Sequence, residues 1–67
     1  MPKELQPHQQ RVVDELDELQ KKIHNLTVFT TTTKFQDLES LDRHLLVTQL
    51  DAMRTYSNIL MMRIDRF

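Results

Sequence analysis

From residue 12 the apolar positions of the chain run Val12, Leu16, Leu19, Ile23 and Leu26, at spacings of 4, 3, 4 and 3. That is the helical period, and it draws one narrow stripe along a helix. Asp14, Glu15, Asp17, Glu18, Lys21 and Lys22 occupy the other faces. Asp17–Lys21 and Glu18–Lys22 are i,i+4 pairs with the acid first, the more favourable order, each contributing about 0.2–0.5 kcal/mol. Acids early and lysines late also suit the helix dipole. The pattern predicts a helix from about Pro7 to Val28, preceded by a flexible N-terminus over residues 1–6.

The stretch Thr27-Val28-Phe29-Thr30-Thr31-Thr32-Thr33 breaks that pattern. Threonine is β-branched, and its hydroxyl competes for backbone hydrogen bonds, so four in a row disfavour a helix. No second strand is available to pair with this segment, and a turn is the better reading. Thr33 followed by Gln36 has the capping-box form, which predicts a new helix near Lys34. Ser40 is a second candidate cap, dividing the region into a short helix and then a long one.

Beyond Leu41 the apolar face widens. Leu46, Leu50, Met53, Leu60, Ile64 and Phe67 form one stripe at the helical spacing, and Leu45, Ala52, Tyr56 and Ile59 lie on its shoulder, about 60–120° around the wheel. Met62 falls on the far side. The narrow stripe of the first helix covers only part of this surface. The expected fold is therefore all-α, an antiparallel helical hairpin with a short connecting helix, forming one domain over residues 1–67. The uncovered shoulder points to a homo-oligomer, the plain alternative being a loosely patterned monomer.

Length sharpens that expectation. A 67-residue chain has room for one core. Domains this small usually recruit disulfides, a metal or further subunits. Cysteine is absent, so disulfides and thiolate metal sites are excluded. His8, His24 and His44 stand 16 and 20 residues apart, which matches no local metal-ligand spacing, and no metal or other cofactor is expected. Subunits remain.

Chemistry is sparse. Ser40 and Ser57 lack a nucleophile-elbow context, and without glycine there is no phosphate-cradling loop, so no enzyme is expected. Nine Lys/Arg against ten Asp/Glu give a net charge of −1, which argues against a dedicated DNA or RNA binder. No apolar run is long enough for a membrane span, and the N-terminus lacks the apolar core of a secretory signal. Position is more informative than number for the cations. Arg11 and Lys22 lie within about 20° of each other on the wheel and about 16 Å apart along the axis, both beside the apolar stripe. Arg63 borders the shoulder of the second long helix. The bland reading is surface pairing, Arg11 with Glu15 and Glu18 with Lys22. The sharper one is that these cations converge across an oligomer seam and bind a small polyanion.

The run HQQRVVDELDELQKKIHNLTVF, a short turn, F-x-x-L and then LLVTQLDAMRTYSNILMMRI resembles a hairpin of tailed-phage proteins. From His8 to Phe67 it is similar to the phage anti-CBASS cyclic-oligonucleotide sponges and to the hairpin part of some anti-Thoeris sponges. The resemblance implies a homohexamer that holds cyclic dinucleotides, such as cyclic GMP–AMP, between subunits, and in some members cyclic trinucleotides at a separate site. The signal is sequestered intact in the cytoplasm of the infected bacterial host, and the partners are that ligand and further copies of the chain. The dinucleotide pocket implied uses an aromatic near the start of the first long helix and a lysine near its end. Lys22 matches the lysine, Lys21 on the opposite face less well, and His8 stands where the aromatic is expected. Arg11, Thr27 and Thr30 complete this set, and Arg63 is the candidate for the trinucleotide site. The alternative is a small helical adaptor that binds a host protein through its apolar face.

Overall fold

A computed structural model describes residues 4–67. Three helices follow in order, α1 (Pro7–Phe29), α2 (Thr33–Gln36) and α3 (Ser40–Asp65). The expectation of a flexible terminus over 1–6 falls partly on residues 1–3, which lie outside the described residues. Glu4 to Gln6 precede the helix without regular structure.

α1 starts where its sequence says it should. Pro7 occupies the first turn, where its missing N–H costs nothing. The Gln6 N–H donates to Gln9 Oε1 at 2.9 Å, satisfying a backbone donor at the helix entrance. At the other end α1 runs one residue past the expected Val28, to Phe29.

The threonine turn is built without any residue at positive φ. Helices often end on a left-handed glycine, and this chain has none to offer. Threonine hydroxyls act instead. Those of Thr30, Thr31 and Thr32 donate to the carbonyls of Thr27, Val28 and Phe29, at 2.6, 2.7 and 2.7 Å. The last carbonyls of α1 thus gain a donor from the side, and those of Val28 and Phe29 also accept the backbone N–H groups of Thr31 and Thr32 at 3.0 Å. The cap of α2 falls one residue earlier than expected. Thr32, not Thr33, sits at the N-cap, and its Oγ1 accepts from the Phe35 N–H at 3.3 Å. Ser40 is likewise not a cap: Glu39 holds the extended N-cap position of α3, and Ser40 is the first helical residue. Phe35 is buried and meets the Phe29 ring edge-to-face, centroids 6.0 Å apart, which pins α2 onto the end of α1.

α1 and α3 pack antiparallel, since Glu15 meets Tyr56 while Thr27 meets Arg54 further up α1 and further down α3. Their contact line is the two stripes. Val12, Leu50 and Leu60 are buried, and Leu16, Leu19, Ile23, Leu46, Met53 and Ile64 are partly covered. Ser57 fills a place in the α3 stripe that the apolar pattern skips, and it too is buried. The dimensions are those of a rod, 50 × 16 × 15 Å. Its radius of gyration is 15.4 Å, against about 11 Å expected of a compact domain this long. A rod two helices thick has little interior, which is why only four apolar side chains among the described residues are buried. Among the described residues no helix is long and apolar enough to cross a membrane.

Candidate functional site: the cation-lined margin of the hairpin

α3 carries two apolar lines. The first faces α1. The second runs Leu41, Leu45, Thr48, Ala52, Thr55, Ile59 and Met62, at spacings of 4, 3, 4, 3, 4 and 3, and all seven are exposed. Leu41 is 65% exposed, Leu45 55%, Ile59 44% and Met62 59%. A repeat of 3.5 residues is the signature of a helix seam that meets another helix. Small and β-branched residues in its middle, Thr48, Ala52 and Thr55, leave room for a close approach. The shoulder anticipated from the pattern (Leu45, Ala52, Tyr56, Ile59) is exposed in the single hairpin.

Between this seam and the groove of the hairpin runs a margin that holds most of the candidate residues. On α1, His8, Arg11, Glu15, Glu18 and Lys22 fall within about 80° of the wheel at 100° per residue. All five are exposed. The two acids would neutralise the two strong cations if they faced them. Each has another partner. Glu15 accepts a hydrogen bond from the Tyr56 hydroxyl on α3, instead of pairing with Arg11. Glu18 lies 3.8 Å from Lys21, which also pairs with Asp17 at 3.4 Å, so the expected Glu18–Lys22 pair gives way to Glu18–Lys21. Among the described residues Arg11, Lys22 and Arg63 take part in no ion pair. Their charge is open to an external anion.

Across the groove, Tyr56 and Arg63 stand two turns apart on the same face of α3. The Glu15 carboxylate, by accepting its hydrogen bond, holds the Tyr56 phenol above its ordinary pKa of 10.0; burial adds to this and Arg63 opposes it. Raising a pKa in the fold means that the contact is present at neutral pH and is lost only as pH climbs through the raised value. The Tyr56–Glu15 contact and the closeness of Arg63 to it are absent from the pattern of apolar positions. Only the antiparallel register, which sets residue 56 opposite residue 15, brings them together.

Thr27 and Thr30 stand apart from Lys22. Thr27 lies about 140° from it on the wheel, towards the other flank. Its hydroxyl donates to the Ile23 carbonyl at 2.7 Å and accepts from Arg54 Nη2 at 3.4 Å. The Thr30 hydroxyl donates to the Thr27 carbonyl. With their protons engaged, both hydroxyls have lone pairs to offer a ligand but no donor for a phosphate. His8 and Lys22 share a face yet stand 14 residues apart, about 21 Å along the axis. A small ligand that touches both residue types must therefore draw them from different copies of the chain.

A concave surface lies elsewhere, on the outer face of α1, between Asp17, Gln20, Lys21, His24 and Asn25. One helix alone walls it, and Lys21 is already paired with its neighbours, so it is a shallow depression with nothing to enclose a ligand. Among the described residues no three His, Asp or Glu side chains cluster closely enough to hold a metal.

The sequence model of the Sequestin family matches residues 6–66, nearly the whole hairpin. The chain is also 35% identical over 60 residues to an uncharacterized 7.5 kDa protein encoded in the denB-rIIB intergenic region of Enterobacteria phage T4, a match that covers 90% of this chain and 94% of that protein. No solved structure matches. An all-helical hairpin with α1 and α3 packed along matching stripes, matched by the family model from Gln6 to Arg66, belongs to the Sequestin family.

Proposed function

We propose that the protein is a phage-encoded sponge that sequesters cyclic oligonucleotide immune signals without degrading them. It works as a homo-oligomer, most simply a hexamer, in the cytoplasm of the infected host, and so keeps CBASS-type defence from being triggered. The observation that carries this reading is the margin itself. Three cations with no ion-pair partner among the described residues, Arg11, Lys22 and Arg63, lie beside an exposed heptad seam of α3. When a second copy covers that seam, the cations of one hairpin come next to those of its neighbour. The result is a partly dry, positively charged cleft sized by two protein surfaces. Phosphodiesters are the natural occupants, Arg offering a two-pronged fork and Lys a point charge.

In this reading Lys22, Arg11 and His8 form the dinucleotide site, each pocket combining residues of two copies. Thr27 and Thr30 accept from base N–H groups, and Arg63 serves a separate trinucleotide site. The work is binding rather than chemistry, in keeping with the family's name. Wild-type protein should gain thermal stability in micromolar cyclic GMP–AMP, by about 2.7 kcal/mol at a hundred times Kd. Lys22→Ala should weaken binding roughly 10- to 100-fold, since a charge-assisted hydrogen bond contributes about 1.5–3 kcal/mol. Calorimetry on an oligomer of unchanged mass checks this, and unaltered affinity would move the site away from Lys22.

The exposed seam also favours a second reading, an adaptor that docks a host protein there. An adaptor's melting temperature would not respond to any cyclic di- or trinucleotide, while a sponge's would.

A further inference from the structure

We infer that Tyr56 supplies a base-stacking face of the nucleotide site, with Glu15 as the positioning residue that holds its ring. The inference rests on the nucleotide-binding reading above and adds to it a residue from α3.

The chain has four aromatic side chains, one Tyr and three Phe. Phe29 and Phe35 are engaged with each other in the turn, and Phe67 is half-buried at the end of the chain. Tyr56 is the one that keeps a large exposed fraction, 40%. It is also fastened at both ends. Its Cβ belongs to α3, and its hydroxyl donates to the Glu15 carboxylate on α1. A ring tied across two helices has little rotamer freedom left to lose when a ligand arrives, so it is preorganised for contact.

What such a ring offers is its face, because its one polar group already has a partner. Every nucleobase has a π-face, and stacking on a tyrosine tolerates differences in base identity. The surroundings fit a base that carries a phosphate. Arg63 lies two turns along α3, about 10.5 Å by rise, and is near enough for its charge to act on the phenol. Arg11 lies one turn from Glu15 on α1, with no ion-pair partner among the described residues. Because α1 and α3 run antiparallel, both guanidinium groups lie on the same side of the ring, towards the start of α1 and along the same margin. A clasp that served only to join the helices would work equally well with its ring covered.

The chain has a single tyrosine, which makes the test direct. Protein carrying ring-labelled tyrosine is titrated with cyclic GMP–AMP, and its ring resonances are followed by NMR alongside calorimetry. Stacking should move those resonances upfield to saturation. Tyr56→Phe keeps the ring but frees it from Glu15, and should lose roughly 2- to 12-fold in affinity, the cost of immobilising one side chain. Tyr56→Leu should lose roughly 5- to 150-fold in affinity, the loss expected when an aromatic–base stack is removed. Wild-type protein that binds the nucleotide with its tyrosine resonances unmoved would overturn the inference, as would wild-type affinity in Tyr56→Leu. If Tyr56→Leu does not fold, the resonances of the wild type decide alone. Wild-type protein that binds no cyclic di- or trinucleotide would remove the nucleotide reading itself, and this inference with it.

Discussion

Leu60→Ala should destabilise the hairpin by about 2–5 kcal/mol, the range for a fully buried leucine truncated in a core that cannot collapse around the gap. Leu60 is 0% exposed, the most completely buried side chain in the structure. A chain of this size rarely draws more than about 3–5 kcal/mol from one core, so the variant should be largely unfolded at room temperature. Urea titration followed by circular dichroism measures this. Leu45→Ala removes the same atoms from a position that is 55% exposed. Its cost should be small at concentrations where the chain is monomeric and should grow as copies associate. Equal losses for the two variants at every concentration would contradict the division of α3 into a face turned to α1 and a face turned away.

That division was legible in the sequence because both lines obey a helical period. Val12, Leu50 and Leu60 can be picked out from spacing alone, and so can the exposed shoulder. Both ends of α1 and the start of α2 were legible to within a residue, because Pro7 and the threonine run mark them. The cap shifts, from Thr33 to Thr32 and from Ser40 to Glu39, have a common cause. Several residues with suitable side chains stand in line, and which one takes the extended backbone depends on where the preceding turn finishes. The burial of Ser57 was hidden for a different reason. A polar residue inside an apolar stripe looks like a gap, whereas in the fold it is a small side chain at the line of contact.

The margin was only half legible. A helical wheel sets His8, Arg11 and Lys22 on one flank of α1, and no wheel can show that Glu15 turns to Tyr56 or that Glu18 turns to Lys21. Those are choices among neighbours at similar distance, settled by the register between helices and by local rotamers. They matter because they leave the cations open. The threonines illustrate the converse. Read as a hydroxyl-rich loop, Thr27 and Thr30 resemble ligand donors, but their protons go to backbone carbonyls, Thr27 to that of Ile23 within α1 and Thr30 to that of Thr27 at the helix end.

Ala52→Glu should dissociate the assembly while leaving the single hairpin folded. Ala52 sits midway along the seam from Leu41 to Met62 and is exposed in the single chain, so a glutamate there stays in water and replaces one good helix former with another. In an assembly the same carboxylate is buried against a neighbouring copy with no built partner. The effective penalty for burying a charge in this way is about 3 kcal/mol or more, over a hundredfold in an association constant. Sedimentation at micromolar concentration should show the mass fall to that of one chain, with helical circular dichroism retained. Binding of cyclic GMP–AMP should fall along with it, although Ala52 lies outside the ligand set. The reason is the span between His8 and Lys22, which a small ligand can bridge only when the two come from different copies. A variant that sediments as the wild type would place the self-contact on another face of the hairpin. One that dissociates and still binds with full affinity would mean that a single hairpin carries a complete site, and the shared pocket would have to be abandoned.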